Sequence, residues 1–260
     1  MEYAAVIVGA APVRCKARHE SEMANQLLFG ETVKVLKEKK GLWAKVRSFH
    51  DGYEGWMIKS QLLETDEHLA KLNIEYVSTG FLNLIHFKEM TIRIPLGASL
   101  PRFADGQGMI GDLPYHIEGS YGKRNEQKPN AELIKQLTFQ WLNAPYQWGG
   151  RTMLGVDCSG FVQVNYKMMG IDLPRDAWQQ AQQGEAVRKL KEAVCGDLAF
   201  FDDREEIVHV GILLGDGKII HTSGKVRIDT IDKKGIINSD TGKRTHSLRV
   251  IKRCSQNSPV

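Results

Sequence analysis

An α+β protein is predicted by three observations. The first half of the chain alternates short β-like runs with Gly and Pro breaks. A helical period of apolar residues starts only after Asn130. Strand patterning then returns after Cys195. Helices followed by a run of antiparallel strands define this class, because the sheet must bury one face against the helices that precede it.

The opening Met1-Glu-Tyr-Ala-Ala-Val-Ile-Val-Gly is apolar, short and acidic at its head, so it reads as an edge strand and not as a leader. Cytoplasmic residence is the matching expectation, with export if a leader has been removed. Thr32-Val-Lys-Val-Leu and Trp43-Ala-Lys-Val-Arg show period-two patterning, with Asp51-Gly52 as a hairpin turn before Gly55-Trp56-Met-Ile. Residues 1–65 are therefore one small β domain. Residues 66–125 form a second, with strands such as Met90-Thr-Ile-Arg-Ile broken at Pro95. Asn125-Glu-Gln-Lys-Pro-Asn130 is a polar linker, and residues 126–260 form the third domain.

In that domain Asn130 caps a helix with apolar positions Leu133, Ile134, Leu137 and Trp141, stopped by Pro145. A second helix runs from Cys158 to Met169 and ends at Gly170. A polar helical stretch follows between Ala177 and Gln183, then strands.

The bulk numbers exclude several classes. With 35 basic against 31 acidic residues in 260, the net charge of +4 is too mild for nucleic acid. No segment approaches the ~20 apolar residues of a membrane helix. Cys15, Cys158, Cys195 and Cys254 form no CxxC pair, so neither a zinc site nor a disulfide scaffold is expected. No metal or organic cofactor is called for.

The chemistry-bearing residues are Asp157-Cys158-Ser159-Gly160, His209 and His221. A thiol opening a helix has its thiolate favoured by the helix dipole, which lowers its pKa and makes it the first cysteine to alkylate. The backbone N–H of Cys158 can face a developing oxyanion. His209 lies in the buried-strand pattern Ile207-Val-His-Val-Gly-Ile-Leu-Leu-Gly, and His221 follows the turn Gly215-Asp216-Gly217. Register decides whether they meet. A strict two-residue Asp-Gly turn, which pairs Gly215 with Lys218, puts them on opposite faces. A three-residue turn pairing Leu214 with Lys218 sets His221 opposite Gly211, diagonal to His209 on the same face, where glycine leaves room for the ring. Function therefore predicts the longer turn. His209 then serves as base and acid, and His221 fixes its tautomer.

Tyr146-Gln-Trp-Gly-Gly, Asp157-Cys158-Ser159-Gly160-Phe161, His209-Val-Gly-Ile and His221 together resemble the NlpC-type cell-wall cysteine peptidases over roughly residues 130–253. The first β domain resembles a bacterial SH3-like barrel, and the second a degenerate copy. The resemblance implies a papain-like catalytic domain behind two small SH3-like barrels. It implies cleavage of the γ-D-glutamyl–diamino acid bond of murein peptides, L-Ala-γ-D-Glu-diamino acid. Tyr146 would stand beside the nucleophile and help hold the oxyanion. Asp157 and Ser159 would line the substrate side of the thiol. Asp176, in Leu173-Pro-Arg-Asp, would bind the α-amino group of a free N-terminal L-Ala, although Ala177 replaces a common serine. Glu22 and Tyr53 of the first barrel would close that pocket. The rivals are a hydrolase of intact peptidoglycan and a non-catalytic wall-binding protein.

Overall fold

The computed structural model describes residues 1–126, 128–203 and 206–255. The chain divides into two compact units. The first is Met1–Glu126 with Trp148–Met153, and the second holds the described residues of 128–147 and 154–255. The expected divide after residue 65 thus falls inside a single unit, and one short loop from the third expected domain belongs to the first unit.

In the first unit a seven-stranded antiparallel sheet spans Tyr3 to Thr65. The strand Tyr3–Val6 is internal, paired with Thr32–Lys39 on one side and Leu62–Thr65 on the other. It is not the edge strand expected from its sequence, because Ala4, Ala5 and Val6 are fully buried small residues that admit a neighbour on each side. A four-stranded and a three-stranded sheet follow between Tyr76 and Lys123. They share a core with the first sheet, in which Phe29 meets Tyr115 edge-on at 5.7 Å. Arg151 is fully buried in this unit, where Nη1 and Nη2 donate to the Glu31 carboxylate at 2.8 and 2.9 Å.

The second unit opens with the helix Ala131–Phe139, capped by Asn130, whose side chain accepts from the Leu133 N–H at 3.0 Å. The helix stops well before Pro145. Trp141 lies beyond its end but is still fully buried, edge-on to Phe161 at 5.8 Å. The helix Cys158–Met168 ends at Gly170, whose φ of 75° is the left-handed geometry glycine tolerates. It packs on the strands Glu206–Gly215 and Lys218–Ser223 of a seven-stranded sheet. The polar helix is shorter than expected, Ala177–Gln180.

The hairpin register is the feature that positions the site. His221 pairs with Gly211, as the same-face argument requires, but the turn that achieves it differs from the expected one. Gly215 pairs with Lys218 around a two-residue turn in which Asp216 (φ 50°) and Gly217 (φ 65°) are both left-handed. A register shift between Leu213 and Gly215 leaves Leu214 as an extra residue, a bulge. One inserted residue inverts the parity of the pairing, which is the effect the longer turn was invoked to supply.

An added Cβ at Gly211 would stand 2.8 Å from the Cβ of His221 and 2.8 Å from the Ile219 side chain. Gly211→Ala should therefore destabilise the protein by about 1–3 kcal/mol through overpacking. It should also lower kcat at least about tenfold by displacing His221. Urea unfolding and steady-state kinetics check both; a variant unchanged in either means the glycine is not needed for space.

Candidate active site

Cys158 begins its helix behind Asp157, whose Oδ1 accepts the N–H of Gly160 at 2.7 Å as an N-cap. The cap is itself locked. Arg175 donates from Nη1 to Asp157 Oδ1 at 3.0 Å and to Ser159 Oγ at 2.8 Å, and from Nη2 to Asp157 Oδ2 at 2.5 Å. Arg175, Asp157 and Ser159 are all buried. The side chains of Asp157 and Ser159, expected on the substrate side, thus make an internal clamp that fixes the helix start. Gln180 adds to it by donating from Nε2 to the Ser159 carbonyl at 3.1 Å. The sequence alone assigns Arg175 no role; its signal is that a buried guanidinium demands a buried carboxylate.

Strands place the imidazoles. Nε2 of His209 and Nδ1 of His221 share a hydrogen bond of 2.8 Å, with the rings nearly perpendicular at 85°. The far nitrogen of His221, Nε2, lies 3.0 Å from Oδ2 of Asp229. Asp229 sits on the next strand, Lys225–Asp232, where it pairs with Ile219 while His221 pairs with Arg227. His209, His221 and Asp229 therefore step diagonally across three neighbouring strands on one face. Asp229 Oδ1 accepts the Ser239 N–H at 2.8 Å, and Arg227 donates to both carboxylate oxygens at 2.9 Å. His246 stacks on His209 with centroids 4.2 Å apart. Neither Asp229 nor His246 was singled out in the sequence.

The thiol meets this row through the backbone. The backbone N–H groups of Val210, the residue after His209, and of Ser159 both favour the charged form of the Cys158 sulfur. The Tyr146 backbone N–H is tied to the Gly224 carbonyl at 3.0 Å, and Tyr146 forms a parallel bridge with Val156. Its phenol is close enough to feel the charges of Cys158 and Asp157.

Electrostatics overturn the expected low thiol pKa. Burial first, and then the Asp157 charge, push Cys158 up to about 12, against the pull of the Val210 N–H, Arg175 and the Ser159 N–H. The dipole at the helix start is offset by the carboxylate that caps it. Burial, with His221 and His246 nearby, holds His209 well below the usual 6.5. At rest the thiol and the His209 imidazole are thus both neutral. Burial, Cys158 and Asp157 raise Tyr146 to about 12, so its hydroxyl keeps the proton it needs to donate to an oxyanion.

Such a site attacks an amide by moving one proton. As sulfur bonds to the carbonyl carbon, its proton can pass to an imidazole, which can return it to the leaving nitrogen, and water can then cleave the thioester with the same imidazole as base.

Other expected site residues lie as follows. Asp176 caps the helix Ala177–Gln180, with its N–H donating to Gln179 Oε1 at 3.2 Å. In the first unit, Glu22 accepts from Trp148 Nε1 at 2.7 Å and from the Cys15 thiol at 3.5 Å. Tyr53 is half-buried against the core of that unit, and its N–H donates to Asp51 Oδ1 at 3.1 Å. Among the described residues no group of three His, Cys, Asp or Glu is arranged to hold a metal ion, and no helix is long and apolar enough to cross a membrane.

A buried thiol at a capped helix start, beside histidines on an antiparallel sheet, defines a papain-like cysteine hydrolase. Comparison narrows the class. Residues 143–245 match the NlpC/P60 family, and residues 13–62 match the bacterial dipeptidyl-peptidase SH3 domain. The chain is 32% identical over 223 residues to a γ-D-glutamyl-L-lysine dipeptidyl-peptidase of Bacillus subtilis, covering 78% of this chain and 73% of that protein. It is 29% identical over 254 residues to a Bacillus cereus protein of the same name, covering 87% and 76%. A crystal structure of a Bacillus cereus NlpC/P60 family protein has the same fold, with a TM-score of 0.80 at 22% identity over 96% of this chain and 99% of that one. The chain belongs to the NlpC/P60 family and is a cysteine peptidase with an N-terminal SH3-like domain.

Two readouts follow from the protonation states. Iodoacetamide should label the exposed Cys15 before the buried Cys158 in the free enzyme, and the Cys158 rate should still be climbing above pH 9. Peptide mapping after timed alkylation checks the order; rapid Cys158 labelling at pH 7 means a resting thiolate. The histidine shifts give the second. Burial and His221 press His246 down to about 4, and His209 is depressed too. The unfolded chain then binds more protons than the folded one below about 6.5, so their stabilisation is full above that pH and is lost as pH falls toward 4. The urea midpoint should drop across this window, and less steeply in His246→Gln.

Proposed function

We propose that this peptidase hydrolyses the γ-D-Glu–diamino acid bond of short murein peptides carrying a free N-terminal L-Ala, and releases L-Ala-D-Glu. The similarity that carries this reading spans both the SH3-like domain and the peptidase domain and reaches proteins named γ-D-glutamyl-L-lysine dipeptidyl-peptidase. A dipeptidyl-peptidase needs a group that recognises a free amine. Asp176, at the start of its short helix and one residue from the Arg175 clamp, supplies the carboxylate.

The cycle then has defined parts. Asp176 anchors the L-Ala ammonium and sets two residues between the amine and the scissile bond. Cys158 attacks the γ-carbonyl, Tyr146 and the Cys158 N–H hold the oxyanion, and His209 protonates the departing α-amine of the diamino acid. An N-acylated or glycan-linked L-Ala offers a neutral amide in place of the ammonium, and the charge pair with the carboxylate does not form. Breaking a buried pair this way costs about 3–5 kcal/mol, or about two to four decades in kcat/KM.

Mass spectrometry of products from L-Ala-γ-D-Glu-L-Lys with free and acetylated N-termini should show dipeptide release from the free form alone. Asp176→Asn should raise KM for the free peptide and narrow the gap to the acetylated one. Cleavage of acetylated peptide or intact sacculi as fast as free tripeptide makes the enzyme a wall hydrolase instead.

A further inference from the structure

We infer that Asp229 is a positioning residue of the peptidase, setting through two imidazole rings which nitrogen of His209 is free to take the thiol proton. Each hydrogen bond in the row fixes the next. The Ser239 N–H and the Arg227 guanidinium can only donate, and both donate to the Asp229 carboxylate. Burial alone would raise this carboxyl, but hydrogen bonds from His221, Arg227 and the Ser239 N–H hold it far below the usual range, so it is ionised and only accepts. Nε2 of His221, 3.0 Å away, must therefore carry a hydrogen. With a single hydrogen on the His221 ring, held on Nε2 by the carboxylate, Nδ1 is a bare acceptor. It lies 2.8 Å from Nε2 of His209, so that nitrogen of His209 is the donor. Nδ1 of His209 is left with the lone pair, which is what a base for Cys158 requires.

The alternative chain is inactive. With the hydrogens reversed, His221 donates from Nδ1, His209 accepts at Nε2, and the His209 proton sits on Nδ1, the nitrogen that should receive. One ring would need a partner only to hold it in place; two rings in series need a terminal group of fixed polarity to choose the direction. Asp229 supplies that polarity, since it is 1% exposed and bears four donors. Arg227 is in turn braced by Asp240 at 2.9 Å, so the carboxylate has little freedom to turn away.

Asp229→Asn is the direct reversal. The amide oxygen in place of Oδ1 keeps the bonds from Arg227 Nη2 and the Ser239 N–H, its NH2 in place of Oδ2 gives up the Arg227 Nε bond and faces His221 Nε2, and that nitrogen must become an acceptor. The hydrogens of both rings then move to Nδ1. The expected loss is about 10³–10⁴ in kcat, the size of a wrong-tautomer imidazole in a serine-protease triad, with KM changed less than about threefold because no substrate contact is removed. Nitrogen-15 NMR of histidine-labelled protein at pH 7.5 reads the tautomers directly, with His209 assigned by difference against His209→Gln. Wild type should show His209 protonated on Nε2 and the variant on Nδ1. A variant with kcat within tenfold of wild type, or with His209 still protonated on Nε2, overturns the inference. Should the variant fail to fold, the wild-type spectrum still decides: a proton on His209 Nδ1 refutes it. The tautomer is read without substrate, so this outcome is separate from the identity of the peptide cleaved.

Discussion

Parity of one hairpin register governs the catalytic unit. Side chains alternate across a sheet with a period of two, so a slip of one residue would send His221 to the face opposite His209. The pairing of Gly211 with His221 prevents this, and the bulge at Leu214 reconciles that pairing with a two-residue turn. The same parity continues one strand further and brings Asp229 beneath His221. Around the row, Phe201, Leu213, Ile219 and Ile231 pack on the same face and exclude water. That exclusion is what depresses His209 and makes each hydrogen bond in the row costly to break.

A second constraint fixes the nucleophile. The helix of Cys158 must begin at one place and point one way, and a single N-cap would leave that start able to fray. The buried Arg175–Asp157–Ser159 clamp joins the cap to the segment carrying Asp176. Removing either charged partner would strand the other in the interior, at about 3–5 kcal/mol. The first unit uses the same device at Arg151 and Glu31, both nearly inaccessible. In each unit a buried ion pair ties residues far apart in sequence, and such pairs specify geometry more than they add stability.

Local patterns were legible and register-dependent contacts were not. The helix starts at Asn130 and Cys158 follow from capping chemistry, and the His209 strand from its apolar run. His221 opposite Gly211 followed from requiring two imidazoles to meet, yet the turn that delivers it was misread. An extra bulged residue and a longer turn have the same effect on parity, and Gly215-Asp216-Gly217 does not distinguish them. Asp229 was hidden for a related reason: its strand alternation is plain, but its diagonal to His221 appears only once the pairing around Gly224 is known. The edge-strand reading of Tyr3–Val6 failed because its partners lie some thirty and sixty residues away, at Thr32–Lys39 and Leu62–Thr65. The thiol pKa failed because the cap was weighed as helix geometry and not as a charge: Asp157 that starts the helix also repels the thiolate.

That repulsion has a consequence for how the enzyme works. A thiol held near 12 is present as thiolate in negligible amount at neutral pH, which at first sight wastes the nucleophile. Two effects compensate. Intrinsic nucleophilicity rises with thiol pKa, so the sulfur that forms when its proton leaves is a stronger attacker than a pre-ionised one. And the proton leaves only when an electrophile is seated, since His209, itself too buried to hold a charge at rest, gains stabilisation as an imidazolium only beside the developing oxyanion. Oxidants act on thiolates, so a resting thiol is also protected from them. The arrangement places its electrostatic stabilisation in the transition state and leaves the resting site neutral, which is why the direction of the hydrogens in the histidine row matters more here than the ionisation of the sulfur.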